Sequence, residues 1–224
     1  MIKSACQFIC IIGIDGSGKT TMAKEIADLL KERGVSAQYV YARFQLILTK
    51  PVVFLANKIF LRDKKIRTEY SIRTNDKKTL IKKNRKLATV YRFLLLTDYL
   101  LQLAIKIKLP LLTGKTIVCD RYVYDTVLTD FAIDMGLSKD ECLQLINKCF
   151  RFVPKPSVVF LVDASEEVAY KRKNDIPSID YLKDRRSLYL GIADACGIIV
   201  LNGNQAPEEV FSECMRRLEN EFAI

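Results

Sequence analysis

Five apolar runs punctuate the chain, at Gln7–Ile14, Ala37–Tyr41, Lys115–Cys119, Ser157–Val162 and Gly197–Leu201. The first is apolar throughout, the signature of a strand buried on both faces, the third reads as buried too, and the others read as further strands. Between them, apolar positions recur at helical spacing. Met22, Ile26, Leu29 and Leu30 mark one face of a helix from Thr20 to Arg33, with Gly34 as its cap. Leu87–Lys108 reads as a long helix with Val90, Leu94, Thr97, Leu101 and Ile105 or Ala104 turned inward. Asp125–Met135 is a further helix, ended by Gly136. Ser138-Lys-Asp-Glu141 is a capping box that opens another helix, running to Phe150. Ser165–Lys173 and Ile179–Ala195 follow, separated by the polar break Asn174–Ser178. The last helix starts near Pro207, a favoured first-turn residue. Strands alternating with helices predict an α/β chain: a five-stranded parallel sheet with helices on both faces, in three layers.

One stretch breaks the alternation. Residues 45–61 are strongly apolar and about as long as a membrane span, but Lys50, Pro51, Asn57 and Lys58 interrupt them. Residues 62–86 then carry Lys and Arg at eleven positions, from Arg62 to Lys86. We read 45–86 as an insertion in a single domain of residues 1–224. The apolar part suits a helical flap, a partner surface or a membrane-surface helix. The basic part suits a solvated segment or a platform for anions. Tyr70 is the one aromatic residue among the basic ones, so no nucleic-acid partner is expected.

Composition narrows the chemistry. The chain has 224 residues, a net charge of +10, seven cysteines and no histidine. Histidine triads, histidine–metal sites and histidine acid–base catalysis are therefore excluded. The cysteines form no metal or C-x-x-C spacing, and Cys10, Cys119 and Cys149 sit in apolar runs, as reduced core residues of a cytoplasmic protein do. Met1–Cys6 is too short a lead-in for a signal peptide.

The chemistry-bearing motif lies directly after the first strand. Gly13-Ile14-Asp15-Gly16-Ser17-Gly18-Lys19-Thr20 fits G-x-x-x-x-G-K-[ST], the phosphate loop of ATP- and GTP-binding proteins. Its glycines let the backbone amides wrap a phosphate at a helix N-terminus that already favours anions. Lys19 reaches the β- and γ-phosphates and the Thr20 hydroxyl holds Mg²⁺. Asp120 ends the third strand, where a carboxylate acts on Mg²⁺ or caps the next helix. Arg121, beside it, is a clamp candidate for donor and acceptor phosphates. Arg43 and Phe44 follow the second strand, at the sheet edge where ligands bind. Arg172 and Lys173 precede the polar break, so a lid at about 172–181 would bring cations over the γ-phosphate.

Together these residues resemble the thymidylate kinase family of P-loop nucleoside monophosphate kinases. The resemblance rests on Gly13–Thr21, on Asp120-Arg121-Tyr122, and on Pro154-Lys155-Pro156 followed by Val159–Asp163. It continues in Glu167–Arg172, Asp180–Tyr189 and Val200–Gly203, and covers most of the chain outside about 45–86. It implies a P-loop NTPase fold and transfer of the ATP γ-phosphoryl to a nucleoside monophosphate, with dTMP as the default acceptor and Mg²⁺ as cofactor. It implies that Asp15, Gly16, Ser17, Gly18, Lys19, Thr20, Thr21, Arg172, Asn202 and Gly203 bind ATP. Lys19, Asp120, Arg121 and Arg172 would be catalytic, and Thr20 and Asp120 would hold the metal. Asp15, Arg43, Phe44, Arg92, Asp98, Arg121, Tyr124 and Asp125 would meet the acceptor. The expected partners are nucleotide substrates and a second copy of the chain, with a membrane surface open through 45–86.

The family's base-binding helix departs from pattern here. In Leu94-Leu95-Leu96-Thr97-Asp98-Tyr99 the aspartate is kept, but Tyr99 stands at the arginine position. Phe93 could take the stacking role and Arg92 could supply the charge. Asp125 stands where a small polar residue is common. Two alternatives therefore stay open: a kinase of this fold acting on another nucleotide, a nucleoside, a sugar or a lipid-linked group, with Asp15 or Asp125 as base, and a membrane-associated nucleotide-binding regulator.

Overall fold

The computed structural model describes residues 7–44 and 85–222. The readings made of 45–84 lie outside the described residues, as do those of the Arg92 and Phe93 side chains. By its contacts the chain divides into two compact units, Met1–Arg43 with Leu103–Ile224, and Phe44–Gln102.

The larger unit is built on the expected parallel sheet. Its strands are β1 (Phe8–Ile12), β2 (Ala37–Tyr41), β3 (Thr116–Asp120), β4 (Val158–Asp163) and β5 (Ile199–Asn202), in the order β2-β3-β1-β4-β5. All neighbours are parallel, with Ile11 opposite both Asp120 and Phe160, and Asp163 opposite Asn202. Side chains alternate between faces along each strand. Ile9, Ile11, Val118, Phe160 and Val162 face one layer of helices, α1 (Lys19–Glu32) and the last helix (Pro207–Phe222), through Met22, Ile26, Leu30, Val210, Cys214 and Leu218. A Phe160→Ala variant is expected to lose about 3–5 kcal/mol, since a fully buried ring leaves a cavity in the central sheet. At roughly 2–4 °C per kcal/mol for a chain of this size, its melting temperature falls by about 6–20 °C, which calorimetry would read directly.

The long helix α2 (Arg85–Leu103) forms where expected but shows a different face. Leu94, Leu101 and Ile105, expected to be inward, are 36%, 48% and 67% exposed. The buried positions are Asp98, Tyr99, Gln102, Leu103 and Ile107. The reason is that apolar residues fall on more than one side of this segment, so its periodicity has more than one solution. The helix also widens into a π-helical stretch, Ala104–Lys108, before a last turn at Leu109–Leu112. Pro110 lies in that last turn, and it has no N–H to continue the regular ladder.

Helix α3 opens at Val123–Asp125, earlier than expected, widens into a π-helix at Thr126–Phe131 and closes at Ala132–Met135. The Thr129 hydroxyl donates to the Asp125 carbonyl at 2.8 Å, a side-chain bond inserted beside the ladder. Helix α4 (Lys139–Cys149) carries the full Ser138–Glu141 capping box. Helices α5 (Glu166–Arg172), α6 (Ile179–Cys196) and α7 (Pro207–Phe222) complete the unit. Arg186 of α6 forks onto Asp163 at 2.6 and 2.8 Å and reaches Glu166 at 3.1 Å, fixing α6 to the end of β4 and the start of α5.

In the smaller unit, the described part is Phe44 and α2 up to Gln102. The Tyr99 ring meets Phe44 edge to face at 5.7 Å, and the Gln102 amide donates to Asp98 at 2.9 Å. Tyr99 is thus a packing residue, 1% exposed.

Candidate active site

Because every strand runs the same way, the segments after β1, β3, β4 and β5 all emerge at one edge of the sheet. After β1 the chain makes a tight loop, and α1 begins at Lys19 behind Gly18, which is left-handed at φ 94°. Gly16 (φ +84°) is held against α5 so closely that a Cβ there would sit 2.2 Å from the Ala169 carbonyl oxygen. Only glycine fits that contact. Lys19 is 4% exposed, and its Nζ donates to the Ile14 carbonyl at 3.0 Å. Burial and the nearby Arg121 charge pull its pKa down to about 8, against the opposing pull of Asp15.

The loop forms one wall of a cleft of about 490 Å³ that Arg121, Arg172, Lys173 and Gly203 also line. Asp15, Gly16, Ser17, Gly18, Thr20 and Thr21 line it as expected. Arg172 donates to the Gly203 carbonyl at 2.9 Å, joining the end of α5 to the turn after β5. Asn202 is exposed and does not line the cleft; its side chain accepts from the Asn204 backbone at 3.1 Å and shapes that turn.

At the floor, Thr20 donates to Asp120 Oδ2 at 2.6 Å and Tyr39 donates to the same oxygen at 3.2 Å. Asp120 is fully buried, and its Oδ1 has no hydrogen-bond partner among the described residues. A buried carboxylate oxygen left open beside a hydroxyl is a donor set that fits Mg²⁺, a cation that takes oxygen ligands.

Arg121 follows Asp120 with a left-handed backbone, φ 68°, rare for a side-chain-bearing residue. Its amide donates to the Ile11 carbonyl at 2.9 Å, and the Cys119 thiol donates to its carbonyl at 3.0 Å. This backbone sends the guanidinium back across the loop. Nη2 meets Asp15 at 2.5 Å, and Nη1 meets both Asp125 oxygens at 2.8 Å. Burial opposes its charge, but Asp125 and Asp15 outweigh that and hold Arg121 firmly protonated. Burial likewise pushes Asp15 up, yet Arg121, Lys19 and Lys173 overcome it and keep the carboxylate below its usual range.

A second, much narrower crevice also reaches Arg121. Asp15 and Arg121 line both clefts; Arg43, Thr129, Tyr181, Arg185 and Tyr189 line only the second. Arg43 stays charged, since Asp130 and Asp125 overcome its burial and the Arg121 charge. Tyr124 lines neither cleft, because it is a core residue with its ring against Phe150 at 5.4 Å. Asp125 is fully buried and turned to Arg121 rather than to open space. Phe44 and Asp98 belong to the smaller unit described above. Sequence reasoning missed Tyr39, Thr129, Tyr181, Arg185 and Tyr189. The signal for the last three was their spacing of four on α6, which sets them on one helical face.

The arrangement is two clefts sharing a buried cation, with a phosphate loop on one side and arginines on the other. The family model described as thymidylate kinase matches residues 71–214. That match takes in 71–86, which the sequence reading had left outside the resemblance. A probable thymidylate kinase of Methanocaldococcus jannaschii is 30% identical over 219 residues, covering 96% of each chain. One of Archaeoglobus fulgidus is 28% identical over 224 residues, 96% of this chain and 95% of that one. A thymidylate kinase of Leptospira borgpetersenii is 26% identical over 221 residues, 93% of this chain and 91% of that one. The family-model match begins after the phosphate loop. The chain belongs to the thymidylate kinase family, whose members are ATP-dependent nucleoside monophosphate kinases.

Proposed function

We propose that this chain moves the γ-phosphoryl group of ATP to the phosphate of dTMP, giving ADP and dTDP. The observation that carries the reading is that Arg121 and Asp15 line both clefts. A group bound in one cleft and a group bound in the other then meet at one fixed cation, the positioning that phosphoryl transfer requires.

In this reading the loop amides and Lys19 hold the β- and γ-phosphates in the larger cleft. Arg172 and Gly203 flank the adenine side, and the lid at about 172–181 excludes water. Arg43 and Arg121 hold the acceptor phosphate in the second cleft, with Arg185 beside them, and Asp15 approaches its sugar. An acceptor phosphate oxygen forms a bond to the γ-phosphorus as the bond to the β–γ bridging oxygen breaks, and ADP leaves. Thr20 and Asp120 would hold Mg²⁺, which when bound neutralises charge on the ATP phosphates. No general base is needed, because the attacking oxygen is already anionic. Asp125 could not serve a hydroxyl acceptor as base, since Arg121 and Tyr189 engage its oxygens.

The cytoplasm is the compartment that suits these substrates, and among the described residues no helix is long and apolar enough to cross a membrane. A second copy of the chain is the expected partner; the exposed side chains of Ile105, Leu109 and Leu112, at 67%, 58% and 75%, supply an apolar surface for it. Contact with a membrane surface would rest on the composition of 45–86 alone.

The test is ADP release with ATP and Mg²⁺ over a panel of nucleoside monophosphates and nucleosides. The highest kcat/KM is expected with dTMP. Binding of ATP without turnover of any monophosphate would overturn the reading.

A further inference from the structure

We propose that Asp125 and Tyr189 are positioning residues that lock the Arg121 guanidinium in one orientation and tie it to α6. The inference rests on the function proposed above and adds how the shared cation is held.

The donor count on Arg121 supports it. Nη1 donates to both oxygens of Asp125, a shared bond from one N–H, and Nη2 donates to Asp15. Nε is buried and has no partner among the described residues. The two carboxylates therefore hold both terminal nitrogens, and Nε with the remaining Nη protons is left for an incoming phosphate oxygen. Asp125 is in turn held, because the buried Tyr189 hydroxyl donates to its Oδ1. Burial and the Asp125 charge raise the phenol well above its ordinary pKa, so it remains a donor. Two turns earlier on the same helix face, the Tyr181 hydroxyl reaches Asp15 Oδ2 at 3.5 Å. Both carboxylates that flank Arg121 thus meet tyrosines of α6, the helix that begins just after the polar break.

Two measurements test this. In kinetics, Asp125→Asn should lower kcat about 10- to 100-fold, the range for a misplaced catalytic group, with KM for ATP within about twofold of wild type. Tyr189→Phe should show the same pattern with a smaller fall. The Arg121→Ala/Asp125→Asn double variant should be no slower than Arg121→Ala alone, because Asp125 acts through Arg121. Losses that multiply in the double variant, or an Asp125→Asn enzyme that melts earlier but turns over normally, would overturn the proposal. The second measurement needs no turnover. In ¹⁵N-arginine spectra, with Arg121 assigned through its alanine variant, slowly exchanging Nη protons are expected in wild type and lost in Tyr189→Phe and Asp125→Asn. Fast exchange in wild type would reject the lock. A chain that shows the locked Arg121 but no monophosphate turnover would reject the proposed function and leave the lock standing.

Discussion

Replacing Lys19 by alanine is expected to cut kcat/KM for ATP by about 100- to 1,000-fold while leaving the fold intact. The size follows from removing one preorganised charge aimed at a transferring phosphoryl group. The sparing of the fold follows from burial. Lys19 is 4% exposed and its pKa is drawn down to about 8, so the folded state holds this charge at a cost. Its folded pKa lies below the unfolded value, so the cost is full below pH 8 and is relieved as pH rises from 8 toward the unfolded value. Alanine removes that cost, and the hydrogen bond to the Ile14 carbonyl and the ion pair with Asp15 at 3.8 Å are given up. Calorimetry at pH 7 should therefore show an unchanged or higher melting temperature beside the lost activity. A fall of several degrees would mean that Lys19 holds the loop together rather than serving its ligand.

Arg121→Ala is expected to lose both. Its activity should fall by about 100- to 1,000-fold, because both clefts lose the cation they share. Its stability should fall by about 3–5 kcal/mol, because removing one partner of a buried ionic cluster strands the others. Asp125 is fully buried, and Arg121 supplies two of its hydrogen bonds; Asp15 keeps Lys19 and Lys173 at 3.8 Å. Adding Asp125→Asn to this variant should restore part of the melting temperature and none of the activity. That contrast with Lys19→Ala separates the two buried cations: one is carried by the fold at a cost, while the other is part of what holds the fold.

The sheet was legible because buried parallel strands leave unbroken apolar runs, and β1 and β4 have no polar residue until the edge where Gly13 and Asp163 stand. The phosphate loop was legible because few backbones can wrap a phosphate, and those that do need glycine at fixed places. Asp120 and Arg121 could be read because a charged pair directly after a buried strand has one edge of the sheet to occupy. The face of α2 was not legible: with leucine or isoleucine on almost every side, hydrophobic spacing stops discriminating. Tyr181, Arg185 and Tyr189 escaped for the opposite reason. A polar stripe on a helix reads as a wet surface, and only the fold shows that this stripe lines a cleft. Asp125 was misread in direction. Its sequence position suggests a sugar contact, whereas an arginine four residues earlier on a left-handed backbone turns it inward.

The contact between Gly16 and Ala169 sets where this machine can bend. With 2.2 Å between a would-be Cβ and the Ala169 oxygen, the loop and α5 stand backbone to backbone. Arg186 ties the start of α5 to the end of β4, and Arg172 joins its other end to the turn after β5. Helix α5 is therefore part of the frame, and Arg172 at its end is tied to the turn after β5. In the stretch just after it, 173–178, Ile176 is the one buried side chain, so the closure proposed above would turn on releasing or seating that residue.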